Sequence, residues 1–123
     1  MKFTGICLIT NNVPALTKFY TNVLGVEAVG DDNHAELKTE GATISIFSTR
    51  GMDEMVSGSM QGAGHGSFTI GFEVRDINAE YIRLREMDIE FLKSPTAHPW
   101  GCISFWFRDP DGNIVDFYAR QSN

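Results

Sequence analysis

The chain has 123 residues, 42% of them hydrophobic and 21% charged, with a net charge of −6. That length holds one domain with a real core and excludes two ordinary ones, and the composition excludes a disordered or fibrous chain. The acidic balance argues against a nucleic-acid surface and is compatible with a cationic small ligand. The N-terminal run MKFTGICLIT is too short for a signal-peptide core and no later apolar run is long enough to enter a membrane, so a cytoplasmic protein is expected.

In chain order, TGICLIT reads as a strand and is followed by a helix with Asn12 as N-cap and Pro14 near its first turn. Leu16, Phe19, Tyr20, Val23 and Leu24 recur on one face of that helix, and Gly25 stops it. HAELKTEGATISIF then reads as a hairpin. GMDEMVSGSMQGAGHGS, rich in Gly, Ser and Met, reads as a mobile surface connection in which Met52, Met55 and Met60 are exposed. A second strand, SFTIGFEV, leads into a second helix from Asp76, with Ile77, Tyr81 and Leu84 on one face and Met87-Asp88 as its end. CISFWFRDPDGNIVDFY closes the chain as another hairpin.

The second half repeats the first. LGVEA answers MDIEF, and EGATISIF answers DGNIVDFY, so the chain is two copies of strand, helix and about three strands. Repeat one covers about residues 1–50, the linker about 51–66 and repeat two about 67–120. The expected class is α+β: two βαβββ modules whose curved mixed sheets surround a cleft.

A strand with a helix on one face leaves the other face free. Phe68, Ile70, Phe72 and Val74 should meet the second helix, leaving Thr69, Gly71 and Glu73 opposite. The same alternation frees Gly5, Cys7 and Ile9; Thr43, Ser45 and Phe47; Ser104 and Trp106; and Asp116 and Tyr118. Small residues among these imply a cavity with aromatic walls. Asp116, on a strand leaving a tight Asp-Pro-Asp-Gly turn, reads as a metal ligand, a general base, a contact for a cation or a solvated strand residue. Cys7 and Cys102 fit no zinc or redox spacing and are expected as small apolar filler. His34, His65 and His98 read as surface residues. No Ser sits in a GxSxG elbow, and Glu73, just before Arg75-Asp76, reads as exposed.

TNNVPALTKFYTNVLGVEA, FEVRDINAEYIRLREMDIEF and above all FRDPDGNIVDFY resemble the glyoxalase, bleomycin-resistance and extradiol-dioxygenase superfamily, the vicinal oxygen chelate fold. The resemblance spans nearly the whole chain and implies paired βαβββ units. In the enzymes it implies a divalent metal held by two His and one Glu, at positions that fall here on Gly5, Thr69 and Asp116, with Ser45 as a pseudo-symmetric fourth. Two imidazoles are thus replaced by a hydrogen and a hydroxyl, and a lone carboxylate does not hold a transition metal that needs about three protein ligands. AHPWGCISFWFRDPDGN resembles the metal-free, drug-sequestering members. The expectation is therefore a metal-independent binder of a small aromatic or cationic molecule, with no cofactor and no turnover, working as a homodimer. Its contacts would be Phe47, Thr69, Trp100, Ser104, Trp106, Asp116 and Tyr118, since aromatic faces stack on flat ligands and a carboxylate offsets a positive charge. The rival expectation is a metal-dependent lyase, transferase or dioxygenase with a rebuilt site; a third is a regulatory or scaffold dimer with a vestigial cleft.

Overall fold

A computed structural model of the chain describes residues 1–121. It divides into two compact units, Met1–Ala63 and the residues from Gly64 onward. The first runs β1 (Gly5–Thr10), α1 (Val13–Leu24), β2 (Ala28–Gly30), β3 (His34–Leu37), β4 (Thr43–Ser48) and α2 (Thr49–Met55). The second runs β5 (Thr69–Glu73), α3 (Ile77–Arg85), β6 (Phe91–Ala97), β7 (Cys102–Arg108) and β8 (Ile114–Arg120). Each contains the expected βαβββ order.

In the first unit Asn12 caps α1 by accepting the Ala15 N–H at 3.0 Å, and Gly25 closes it by donating to the Thr21 carbonyl at 2.9 Å. The sheet order is β1-β4-β3-β2, with β1 parallel to β4 and the rest antiparallel. Leu8, Ala35, Leu37, Ile44 and Ile46 are buried on the same side as Val13, Leu16, Tyr20 and Val23 of α1. Burial of each large apolar side chain is worth about 1.5–3 kcal/mol before chain entropy is subtracted, which is why the period-two pattern fixes which face is inward. Asp31 accepts the backbone N–H groups of Asn33 and His34 in the β2–β3 turn, and the Asn33 bond above all holds its pKa below the ordinary carboxylate value.

The expected mobile connection begins instead as a helix. Ser48 caps α2 by accepting the Gly51 N–H at 2.9 Å, and Gly51 is buried. A Cβ at Gly51 would stand 2.6 Å from the Phe47 ring, so the missing side chain is what lets α2 lie against β4. Met55 is exposed as expected, whereas Met52 and Met60 are half-buried.

In the second unit the order is β5-β8-β7-β6, with β5 parallel to β8. Phe105, Phe107, Val115 and Phe117 are buried and meet edge-on or tilted, and Tyr81 of α3 packs on Phe105 with ring centroids 5.2 Å apart. Three expectations fail here. Phe68, expected to meet the second helix, is 40% exposed and precedes β5, which starts one residue later at Thr69, so the strand alternation does not extend to it. The second helix ends at Arg85 with Glu86, in a right-handed conformation, as its C-cap, before the expected end at Met87-Asp88. Cys7, back in the first unit, is exposed and fills no core position.

The Asp109–Asn113 turn is held from within. Asp109 is buried, and its Oδ1 accepts the N–H groups of Asp111 and Asn113 while Oδ2 accepts the Asn113 side-chain amide, all at 2.9 Å. Arg108 donates to the Gly112 carbonyl at 2.8 Å and pairs with Glu90 at 2.9 Å. The turn therefore sets the start of β8, and with it the position of Asp116.

Candidate functional site

With Phe105, Phe107, Val115 and Phe117 committed to the core, the alternate residues of β7 and β8 must emerge on the opposite face of the sheet. The register then decides their neighbours. Trp106 pairs with Asp116, and Asp116 in turn pairs with Gly71 of β5; Lys93 continues this row on β6 between two register shifts. The next row runs Glu73, Tyr118, Ser104 and Thr96. Thr69 lies on the same face beside Ile114.

Asp116 is half-buried, and among the described residues its carboxylate has no hydrogen-bond or ion-pair partner. Its oxygens lie over the bare backbone of Gly71, where a Cβ would stand 3.3 Å from Oδ1 and 3.5 Å from Oδ2. Burial pushes its pKa above the ordinary carboxylate value. Loss of water disfavours the charged form, and among the described residues no cation pairs with it to restore it. Glu73, two residues along from Gly71, differs: it is exposed and paired with Arg120 at 3.0 Å.

Ser104 is 5% exposed, so its hydroxyl sits below the surface instead of lining an open wall. Tyr118 is half-buried beside it, and Thr69 is exposed. Trp100 is 72% exposed and belongs to the turn after β6, where it reaches the group through His98. The two rings are parallel within 3°, with centroids 4.5 Å apart, and His98 also meets Trp106 edge-on at 5.2 Å. His98 is therefore a half-buried part of the aromatic wall, where a surface residue was expected. Phe47 lies in the first unit, half-buried against Gly51 and edge-on to His34 at 5.8 Å. That unit also has a surface recess of about 340 Å³ lined by polar groups including Asp32, Asn33, Ser48 and Arg50; it offers no aromatic face, and Ser48 already donates to Asn33.

The positions assigned to metal ligands do not fit a transition metal. Gly5 has φ +154°, and a Cβ there would stand 2.0 Å from the Thr43 carbonyl oxygen, so this backbone admits no side chain. Thr69 and Ser45 offer only hydroxyls, and among the described residues no three His, Cys, Asp or Glu side chains gather into a ligand set. Asp116 alone is a strong donor.

Residues 2–117 match the family model described as the Glyoxalase/Bleomycin resistance protein/Dioxygenase superfamily. The chain is 30% identical over 125 residues to the uncharacterized protein YraH of Bacillus subtilis, covering 96% of this chain and 98% of that one. It is 32% identical to biphenyl-2,3-diol 1,2-dioxygenase 3 of Rhodococcus globerulus, over 87% of this chain but only 57% of the dioxygenase. A glyoxalase/bleomycin resistance protein/dioxygenase structure from Nocardioides superposes with a TM-score of 0.84 at 22% identity, covering all of this chain and 85% of that one. A lactoylglutathione lyase structure from Agrobacterium tumefaciens gives 0.77 at 20% identity, covering 96% and 92%. At these identities the two structures establish the shared fold.

Proposed function

Because the chain belongs to the glyoxalase/bleomycin resistance protein/dioxygenase superfamily, we propose that it uses the free face of its second sheet to bind a small, flat, cationic molecule without a metal. The observation that carries this reading is the half-buried carboxylate of Asp116, unpaired among the described residues and borne by the residue that pairs with Trp106 across the β7–β8 ladder. A carboxylate in that state gains from a cation that brings its own charge, and an indole attracts the same cation through its ring face. Gly71 supplies the bare backbone over which that carboxylate lies. Sequestration is the biological form that binding without turnover would take.

Titration calorimetry with N-methylquinolinium and its neutral isostere methylnaphthalene tests this reading. The cation should bind saturably and in preference to the isostere, and Asp116→Asn should remove the preference. Equal affinity for both, before and after the substitution, sinks the charge pairing. The dioxygenase relative, whose name specifies an aromatic diol, motivates the metal-dependent rival. That rival gains if untagged protein carries stoichiometric metal that Asp116→Ala releases. The homodimer belongs to the same proposal and is decided by sedimentation equilibrium.

A further inference from the structure

The segment His98-Pro99-Trp100-Gly101 closes the β6–β7 hairpin as a tightly specified turn. The His98 N–H donates to the Cys102 carbonyl at 2.8 Å, and the Gly101 N–H returns to the His98 carbonyl at 3.1 Å. Gly101 has φ +89°, a conformation most side chains resist, and its carbonyl accepts the Gln121 N–H at 2.8 Å. Pro99 restricts the remaining freedom. A turn so constrained places the side chains of residues 98 and 100 together, and here they stack. His98 Nε2 is buried with no hydrogen-bond partner, so the imidazole is not held there by polar bonding at that atom. No carboxylate of the described residues forms an ion pair with it. What it has are two aromatic contacts, one to Trp100 and one to Trp106.

We propose that His98 is a positioning residue, a strut that locks Trp100 at a fixed distance from Trp106 and holds its bare outer face as a second stacking platform for the flat part of the ligand. This rests on the binding role proposed for the same sheet face. A tryptophan as exposed as Trp100 would ordinarily sample several rotamers, and freezing it at the moment of binding costs affinity. Stacking on His98 removes much of that cost beforehand. The ligand class thereby narrows to molecules with a planar ring system that lies on an indole while a cationic part reaches the Trp106–Asp116 row.

The test uses His98→Ala and His98→Phe, the latter keeping a planar ring without the nitrogens. In a Trp106→Phe background Trp100 is the sole indole, and time-resolved fluorescence anisotropy reads its motion in the free protein. His98→Ala should release a fast, large-amplitude motion of Trp100 and weaken N-methylquinolinium binding about three- to tenfold in the otherwise native chain. His98→Phe should restore both. An unchanged anisotropy in His98→Ala, or a failure of His98→Phe to restore it, overturns the strut. If the native protein does not bind the probe, the binding reading falls and the anisotropy still decides whether His98 immobilises Trp100. Normal binding with a mobile Trp100 overturns the platform and leaves the binding reading standing.

Discussion

Trp106 and Asp116 face each other across the β7–β8 ladder, with the Asp116 carboxylate lying over Gly71 on its other side. In the proposed site the pair is asymmetric: Trp106 would offer a ring to any flat molecule, and Asp116 would discriminate by charge. Trp106→Ala should therefore weaken N-methylquinolinium and methylnaphthalene alike, by about 1–3 kcal/mol, as measured by calorimetry. Loss confined to the cation would assign Trp106 a purely electrostatic role.

Protonation of Asp116 should switch off cation binding. Its pKa is raised by burial, so affinity for N-methylquinolinium should fall as pH drops through that raised value, while affinity for methylnaphthalene stays flat. Titrations across the acidic range, with Asp116→Asn as the pH-independent control, check this.

The same shift fixes the sign of a stability effect. The folded state holds the Asp116 proton to higher pH than the unfolded chain does, so this group's contribution to stability falls as pH rises from the ordinary carboxylate pKa through the raised one. Asp116→Asn should thus be at least as stable as the native protein near neutral pH in the absence of ligand, and the difference should vanish below the ordinary carboxylate range. Urea unfolding at several pH values measures it; destabilisation that grows toward neutral pH would mean that the carboxylate has a favourable partner.

Gly51→Ala should destabilise the first unit by about 1–3 kcal/mol, because the added methyl meets the Phe47 ring at 2.6 Å and Asn33 Oδ1 at 2.9 Å. Thermal unfolding reads the loss, and Gly51→Ala combined with Phe47→Leu should recover part of it.

Asp109→Ala should cost about 3 kcal/mol, since it removes the acceptor of three hydrogen bonds and strands buried donors in the turn. Asp109→Asn should cost less, and both should weaken probe binding through β8.

The free face of the second sheet was legible because strand alternation is rigid. Once Phe105, Phe107 and Phe117 are inward, Trp106, Asp116 and Tyr118 have nowhere else to point. Gly71 was legible as a small residue, although its role as the bed for the Asp116 carboxylate depends on the parallel register of β5 with β8, which no local pattern encodes. His98 was not legible. Its stack with Trp100 arises from turn geometry between residues two apart, and periodicity carries no signal for such a pair. Helix α2 was hidden for a different reason: a Gly in its first turn argues against a helix on propensity, and only its packing against Phe47 makes that glycine an asset.

In the second sheet the strand latest in sequence, β8, does not lie at an edge; it is inserted between β5 and β7. The earliest strand of the unit therefore has no neighbour within its sheet until the latest one arrives, and the long intervening segment must first be looped back. A nascent chain can assemble the β6–β7 hairpin early, but it leaves β5 unpaired and Trp106 without the residue that later stands between it and Gly71. On the proposed reading, binding competence and completion of the unit are consequently a single event. Ligand added during refolding should stabilise the finished state without accelerating the search for it.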